Sequence, residues 1–105
     1  MLEFQKSEAY KAAIDLIAYA HRLRDEADGV AERLRFTALS IPIDIANGDR
    51  KEQRKEAWSA ARENAVESAV LLDVLKARAT VDNETWGSGI ALVTRLLTGL
   101  RKGER

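Results

Sequence analysis

The sequence predicts an all-α fold, an up-down-up-down four-helix bundle built as a single domain over residues 1–105. Apolar residues return every three or four positions through four long segments, short polar turns separate those segments, and no stretch alternates apolar and polar residues as a strand would. Short links make consecutive helices antiparallel neighbours, which is the up-down-up-down arrangement. A chain of 105 residues can bury one real core and is too short for two ordinary domains.

The first helix is expected from Glu3 to Arg24, with Phe4, Tyr10, Ala13, Ile14, Ile17, Ala20 and Leu23 on its apolar stripe. A polar turn from Asp25 to Gly29 follows, with Asp28 placed to cap the second helix. That helix carries two stripes. Val30, Leu34, Ala38, Ile41 and Ile45 form one, and Phe36, Leu39, Ile43 and Ala46 form another beside it, more apolar surface than a single contact face uses. Asn47 and Gly48 end it, glycine entering the left-handed conformation of a helix terminus at least cost.

The third helix is expected from Lys51 to Arg78, with Trp58, Ala61, Ala65, Ala69, Leu72 and Leu75 facing inward and Val66, Val70 and Val74 on a second stripe. Thr80 to Asn83 supply a turn and capping groups. Trp86, Ile90, Val93, Leu97 and Leu100 then recur at helical spacing before a basic, fraying tail from Arg101 to Arg105.

Composition narrows the function classes. Hydrophobic residues make up 46% of the chain and charged residues 32%, with six Gly and one Pro, which excludes collagen-like, low-complexity and disordered chains. Seventeen basic residues balance seventeen acidic ones, so no global field draws the protein to nucleic acid or an anionic membrane, and such contact needs a local patch. There is no cysteine, hence no disulfide framework and no thiolate chemistry. No leader pattern opens the sequence and no run of about 18 apolar residues occurs, so the expectation is a cytoplasmic protein without a membrane span.

Pro42 is the sharpest local conflict. Inside a helix it removes a donor and crowds the carbonyl of Ala38, at about 3 kcal/mol. It is expected to kink the second helix, or to start a new helical stretch with Ser40 or Ile41 near the cap. The kink would turn Ile41 and Ile45 inward and leave Ile43 on a face for another subunit.

The run Ala38-Leu39-Ser40-Ile41-Pro42-Ile43-Asp44-Ile45-Ala46-Asn47-Gly48 resembles the signature of the four-helix-bundle family first noticed as open reading frames in 23S ribosomal RNA intervening sequences. That signature reads approximately Ala-x-Ser-Ile-Pro-x-Asn-Ile-Ala-Glu-Gly. Ser40, Ile41, Pro42, Ile45, Ala46 and Gly48 match it, whereas Asp44 and Asn47 stand where the family usually has Asn and Glu. Arg50, Lys55 and Glu56 look like the family's charged positions opening the third helix. Ala61-Arg62-Glu63-Asn64-Ala65 is similar to a segment usually reading Ala-Arg-Gly-Ser-Ala, with Glu63 and Asn64 as departures. The resemblance implies a small cytosolic bacterial protein that forms a ring, typically a homopentamer, and has no established catalytic activity. A related branch serves diversity-generating retroelements as an accessory protein that engages nucleic acid and the reverse transcriptase.

The residues themselves point away from catalysis. His21 is the sole histidine, has no cysteine partner and lies in a basic stretch of the kind a solvated helix face carries. Ala18 stands where a Glu-x-x-His metal motif needs its carboxylate, and neither a phosphate loop nor a nucleophile elbow occurs. The expectation is therefore no enzyme, no metal, no cofactor and no small-molecule substrate. Glu63, Glu67 and Asp73 lie among apolar residues of the third helix, where a carboxylate either fixes helix register or simply faces water. Arg50, Lys51, Arg54 and Lys55 form the best basic cluster and are the candidate nucleic-acid contact. Asp49, Glu52 and Glu56 interleave with it, as on a salt-bridged face, and no aromatic platform accompanies it. Trp58 and Trp86 read as packing anchors. The doubled stripes favour self-association, one stripe lining the core and the other meeting a neighbour.

Overall fold

In the computed structural model, which describes residues 1–48 and 54–103, Ser7 divides the first expected helix in two. Glu3–Lys6 form a 3₁₀ turn, Ser7 is extended, and helix α1 runs Glu8–Arg22. The Ser7 hydroxyl accepts a hydrogen bond from the Tyr10 amide at 3.0 Å, which satisfies a donor the first turn would otherwise leave unpaired. The buried face of α1 is Ala9, Ala12, Ala13, Leu16, Tyr19 and Ala20. This face is rotated from the expected stripe: Ile14 is 42% exposed, and Tyr10 and Ile17 are half-buried. Close packing on α4 explains the rotation. A Cβ added at Gly99 would stand 2.7 Å from the Ala9 nitrogen, so the two backbones nearly touch there.

The cap of the second helix also differs from expectation. Gly29 takes a left-handed conformation (φ 73) and has no side chain to offer, so the Val30 amide donates instead to Glu26 Oε1 at 3.0 Å. Asp28 pairs with Arg78 at 2.7 Å. Glu26 also accepts from the Thr80 hydroxyl at 3.1 Å, which ties the turn after α1 to the turn after the third helix. Arg35 donates to the carbonyls of Ala20 (3.0 Å) and Leu23 (2.5 Å) and pairs with Asp25, closing the C-terminal end of α1.

Helix α2 runs unbroken from Val30 to Asn47 with Pro42 inside it, so no new helix starts at Ser40 or Ile41. Leu34, Ala38, Ile41 and Ile45 are buried, as the first stripe predicts, and Pro42 is buried with them. Gly48 departs from its expected role. Its φ of −67 is right-handed, so glycine is present for space: the Trp58 indole lies where a Cβ would be.

Helix α3 spans Arg54–Ala77 and buries Ala57, Trp58, Ala61, Ala65, Ser68, Leu71, Leu72 and Leu75. The expected inward stripe is there except for Ala69, which is half-buried, and Ser68 and Leu71 join it. A serine can be buried because its hydroxyl donates to the Asn64 carbonyl at 2.9 Å within the same helix. The helix ends with Ala79 left-handed (φ 59), the Thr80 amide bonded to Leu75 and the Ala79 amide to Lys76, each at 2.9 Å. Asp82 caps helix α4, Asn83–Gly103, accepting from the Thr85 amide at 2.7 Å, a bond that holds the Asp82 carboxyl below its usual pKa. Val93, Leu96 and Leu100 are its buried residues of the core, and Leu96 replaces the half-buried Leu97 of the expected stripe. The helix continues through Arg101 and Lys102 where a fraying tail was expected.

The packing is a square of antiparallel helices: α1 lies against α2 and α4, and α3 against α2 and α4. The molecule measures 42 × 22 × 22 Å, two helix diameters on each short side. It contains no strand among the described residues, and none of their helices is long and apolar enough to cross a membrane.

Candidate interaction surface

The second stripes of α2 and α3 lie on the outside of this square. Phe36 is 75% exposed, Leu39 53%, Ile43 56%, Val66 51% and Val70 54%. Ala46 and Val74, also on those stripes, are half-buried. At 100° per residue Phe36, Leu39 and Ile43 point away from the buried Leu34, Ala38, Ile41 and Ile45, and Val66 and Val70 point away from Ala61, Ala65 and Leu72. Helices α1 and α4 are different: among their described residues Ile14 is the exposed large hydrophobic side chain. The five residues on α2 and α3 together present on the order of 500 Å² of apolar surface, divided between the two strips.

A polar seam runs between the two apolar strips. Arg33 Nη2 donates to Glu67 Oε1 at 2.7 Å, the Thr37 hydroxyl donates to Glu67 Oε2 at 3.0 Å, and Asn64 Nδ2 donates to Asp44 Oδ2 at 3.3 Å. The Arg33 bond, with the Thr37 bond behind it, holds the Glu67 carboxyl below its usual pKa. Asp44 moves the other way: partial burial raises its pKa, and the Asn64 bond offsets this only in part. Of the three carboxylates singled out on α3, Glu67 therefore ties α3 to α2, and Asp73 ties it to α4 by accepting from Trp86 Nε1 at 2.9 Å. Glu63 is exposed.

The signature residues Ile41, Pro42, Ile45 and Gly48 are buried, and Ser40 and Ala46 half-buried. They shape the end of α2 and its contact with Trp58. The indole of Trp58 is buried, and its Nε1 has no hydrogen-bond partner among the described residues. Trp86 is half-buried and packs against the core, with the Lys76 ammonium 3.8 Å above its ring centre.

Of the basic cluster, Arg50 and Lys51 lie outside the described residues. Arg54 is exposed but its Nε donates to the Gly48 carbonyl at 3.2 Å, and Lys55 is exposed. Lys55 instead shares a recess of about 420 Å³ with Trp58, Ser59 and Arg62. Arg62 falls seven residues after Lys55, two turns along the same face, and that spacing was the available signal for it. His21 is exposed, and no group of three metal-ligating side chains forms among the described residues.

Comparison with protein-family models, with curated proteins and with solved structures returns no match.

Proposed function

We propose that this chain is a non-catalytic four-helix-bundle protein that self-associates into a ring, in the manner implied by the resemblance of residues 38–48, and serves as a scaffold or binding protein. The observation that carries the reading is the pair of exposed apolar strips on α2 and α3. Burying such strips yields about 25 cal/mol for each Å² removed from water, and an isolated bundle leaves that gain unused. The number five comes from the resemblance alone. Light scattering on the purified chain tests the reading: the expected mass is near five times the 11.7 kDa of one chain, and a strictly monomeric species at micromolar concentration overturns it.

A second reading, a nucleic-acid-binding accessory factor, is favoured by one feature, the recess that brings Lys55 and Arg62 together at one end of α3. Repeated around a ring, a weak phosphate contact gains by avidity. In that case RNA or DNA binding falls steeply with salt and drops in the Arg54→Glu, Lys55→Glu double variant. Binding indifferent to both rejects the patch.

A further inference from the structure

Resting on the self-association proposed above, we propose that its contact is head-to-tail: the α2 strip of one copy, Phe36, Leu39 and Ile43, packs on the α3 strip, Val66 and Val70, of the next.

The two strips occupy adjacent corners of the helix square, each on the side opposite its own buried stripe. Outward diagonals at adjacent corners diverge by about a right angle in a four-helix bundle, so one flat partner face cannot cover both strips at once. Each strip needs its own partner. A contact between two different patches is heterologous and closes into a ring when the rotation fits, with contact directions about 90° apart for four copies and about 108° for five.

Register supports the same pairing. The Arg33–Glu67, Thr37–Glu67 and Asp44–Asn64 bonds set the heights of α2 and α3, which run antiparallel. They place Phe36 and Leu39 level with Val66 and Val70, and Ile43 level with the turn containing Ser59 and Arg62. Rotation about an axis parallel to the bundle preserves height, so the strips of neighbouring copies meet apolar to apolar.

Charge agrees at the end where α2 finishes. Both basic side chains of α2 are engaged within the subunit, Arg33 by Glu67 and Arg35 by the end of α1. The C-terminal end of α2, with the negative end of its dipole, lies level with the exposed Lys55 of the next copy's α3. Area argues for closure. A stable pair of proteins buries roughly 1,200–2,000 Å² in total, more than one α2 strip on one α3 strip supplies, so an open pair is weak. In a closed ring every copy is held by two contacts.

The test uses two blocked variants, Leu39→Glu with Ile43→Glu on α2, and Val66→Glu with Val70→Glu on α3, each checked for an unchanged helical circular-dichroism spectrum. Each variant alone is expected to run as an 11.7 kDa monomer, because every head-to-tail contact needs one strip of each kind. Disulfide trapping reads the contact directly, since the natural chain has no cysteine. Leu39→Cys mixed with Val66→Cys is expected to give a reducible dimer that neither variant gives alone. If the unmodified chain assembles but either blocked variant keeps the full oligomer mass, or each cysteine variant links only to itself, the head-to-tail contact is wrong and self-association stands. A monomeric unmodified chain overturns both.

Discussion

Helices α1 and α4 approach most closely where side chains are missing and carry an exposed Arg95–Asp15 ion pair at 2.7 Å, whereas α2 and α3 are joined along their outer edge by a network of polar side chains. At Gly99 the α4 backbone comes so close to Ala9 that a single methyl has no room, and at Gly89 the Tyr19 ring fills the same kind of gap while its hydroxyl donates to the Thr85 carbonyl at 2.6 Å. Among the described residues of α1 and α4, Ile14 is the exposed large hydrophobic side chain. Between α2 and α3 the outer edge is closed by Arg33, Thr37, Asp44, Asn64 and Glu67, and the apolar residues beyond that edge face outward. Tight small-residue packing brings the α1 and α4 backbones together. A polar seam with apolar flanks keeps α2 and α3 aligned while leaving apolar side chains exposed.

The largest effect is expected where that contrast is most physical. Gly99→Ala forces its methyl against the Ala9 backbone, which cannot move as a side-chain tip could, so α1 and α4 must separate. Overpacking of this kind costs about 2 kcal/mol, a fall in Tm of roughly 10 °C for a domain of this size, readable by thermal denaturation. Equal stability in the two chains would mean that α1 and α4 do not approach as closely as described.

The same contrast decides how much was legible in the sequence. Periodicity located every helix and found the inward stripe of α2, because Leu34, Ile41 and Ile45 are large and their burial dominates the pattern. It misplaced the face of α1, where Ala9, Ala12 and Ala13 are buried for their smallness and contribute little hydropathy, while Ile14 outweighs them in the pattern and sits outside. Backbone proximity to a glycine 90 residues later leaves no local trace. Gly48 was legible as a helix end but for the wrong reason, since the Trp58 indole beside it comes from another helix. The second stripes of α2 and α3 were legible as surplus apolar surface. The polar seam was not, because nothing in the spacing pairs Glu67 with Arg33 or Asn64 with Asp44.

A smaller effect tests the Arg33 end of that seam. Glu67 has a folded-state pKa below its unfolded value of about 4.3, so its contribution to stability is complete above that value and is lost as pH falls through the folded one. Glu67→Gln is therefore expected to lower stability at neutral pH by less than about 1 kcal/mol, as an accessible ion pair does. Urea unfolding at pH 7 and at pH 3 should show the deficit shrinking in acid. A deficit that persists at low pH would assign the role of Glu67 to packing.

The Asp44 end of the seam carries the smallest effect and the opposite sign. Partial burial raises the Asp44 pKa above the unfolded value of about 3.9, so the folded state binds the proton more tightly than the unfolded chain. Its penalty is absent below that value and develops as pH rises through the folded one. Asp44→Asn removes the charge and keeps an acceptor oxygen for Asn64, which should stabilise the chain at pH 7 by a few tenths of a kcal/mol, on the order of 2 °C in Tm. In acid the gain should vanish, so this variant approaches the natural chain from above while Glu67→Gln approaches it from below. Two carboxylates on one seam then titrate in opposite senses: the first is engaged by a guanidinium, the second is desolvated beside a neutral amide. A loss of stability in Asp44→Asn at pH 7 would mean that the charge of Asp44 strengthens its bond to Asn64 by more than desolvation costs.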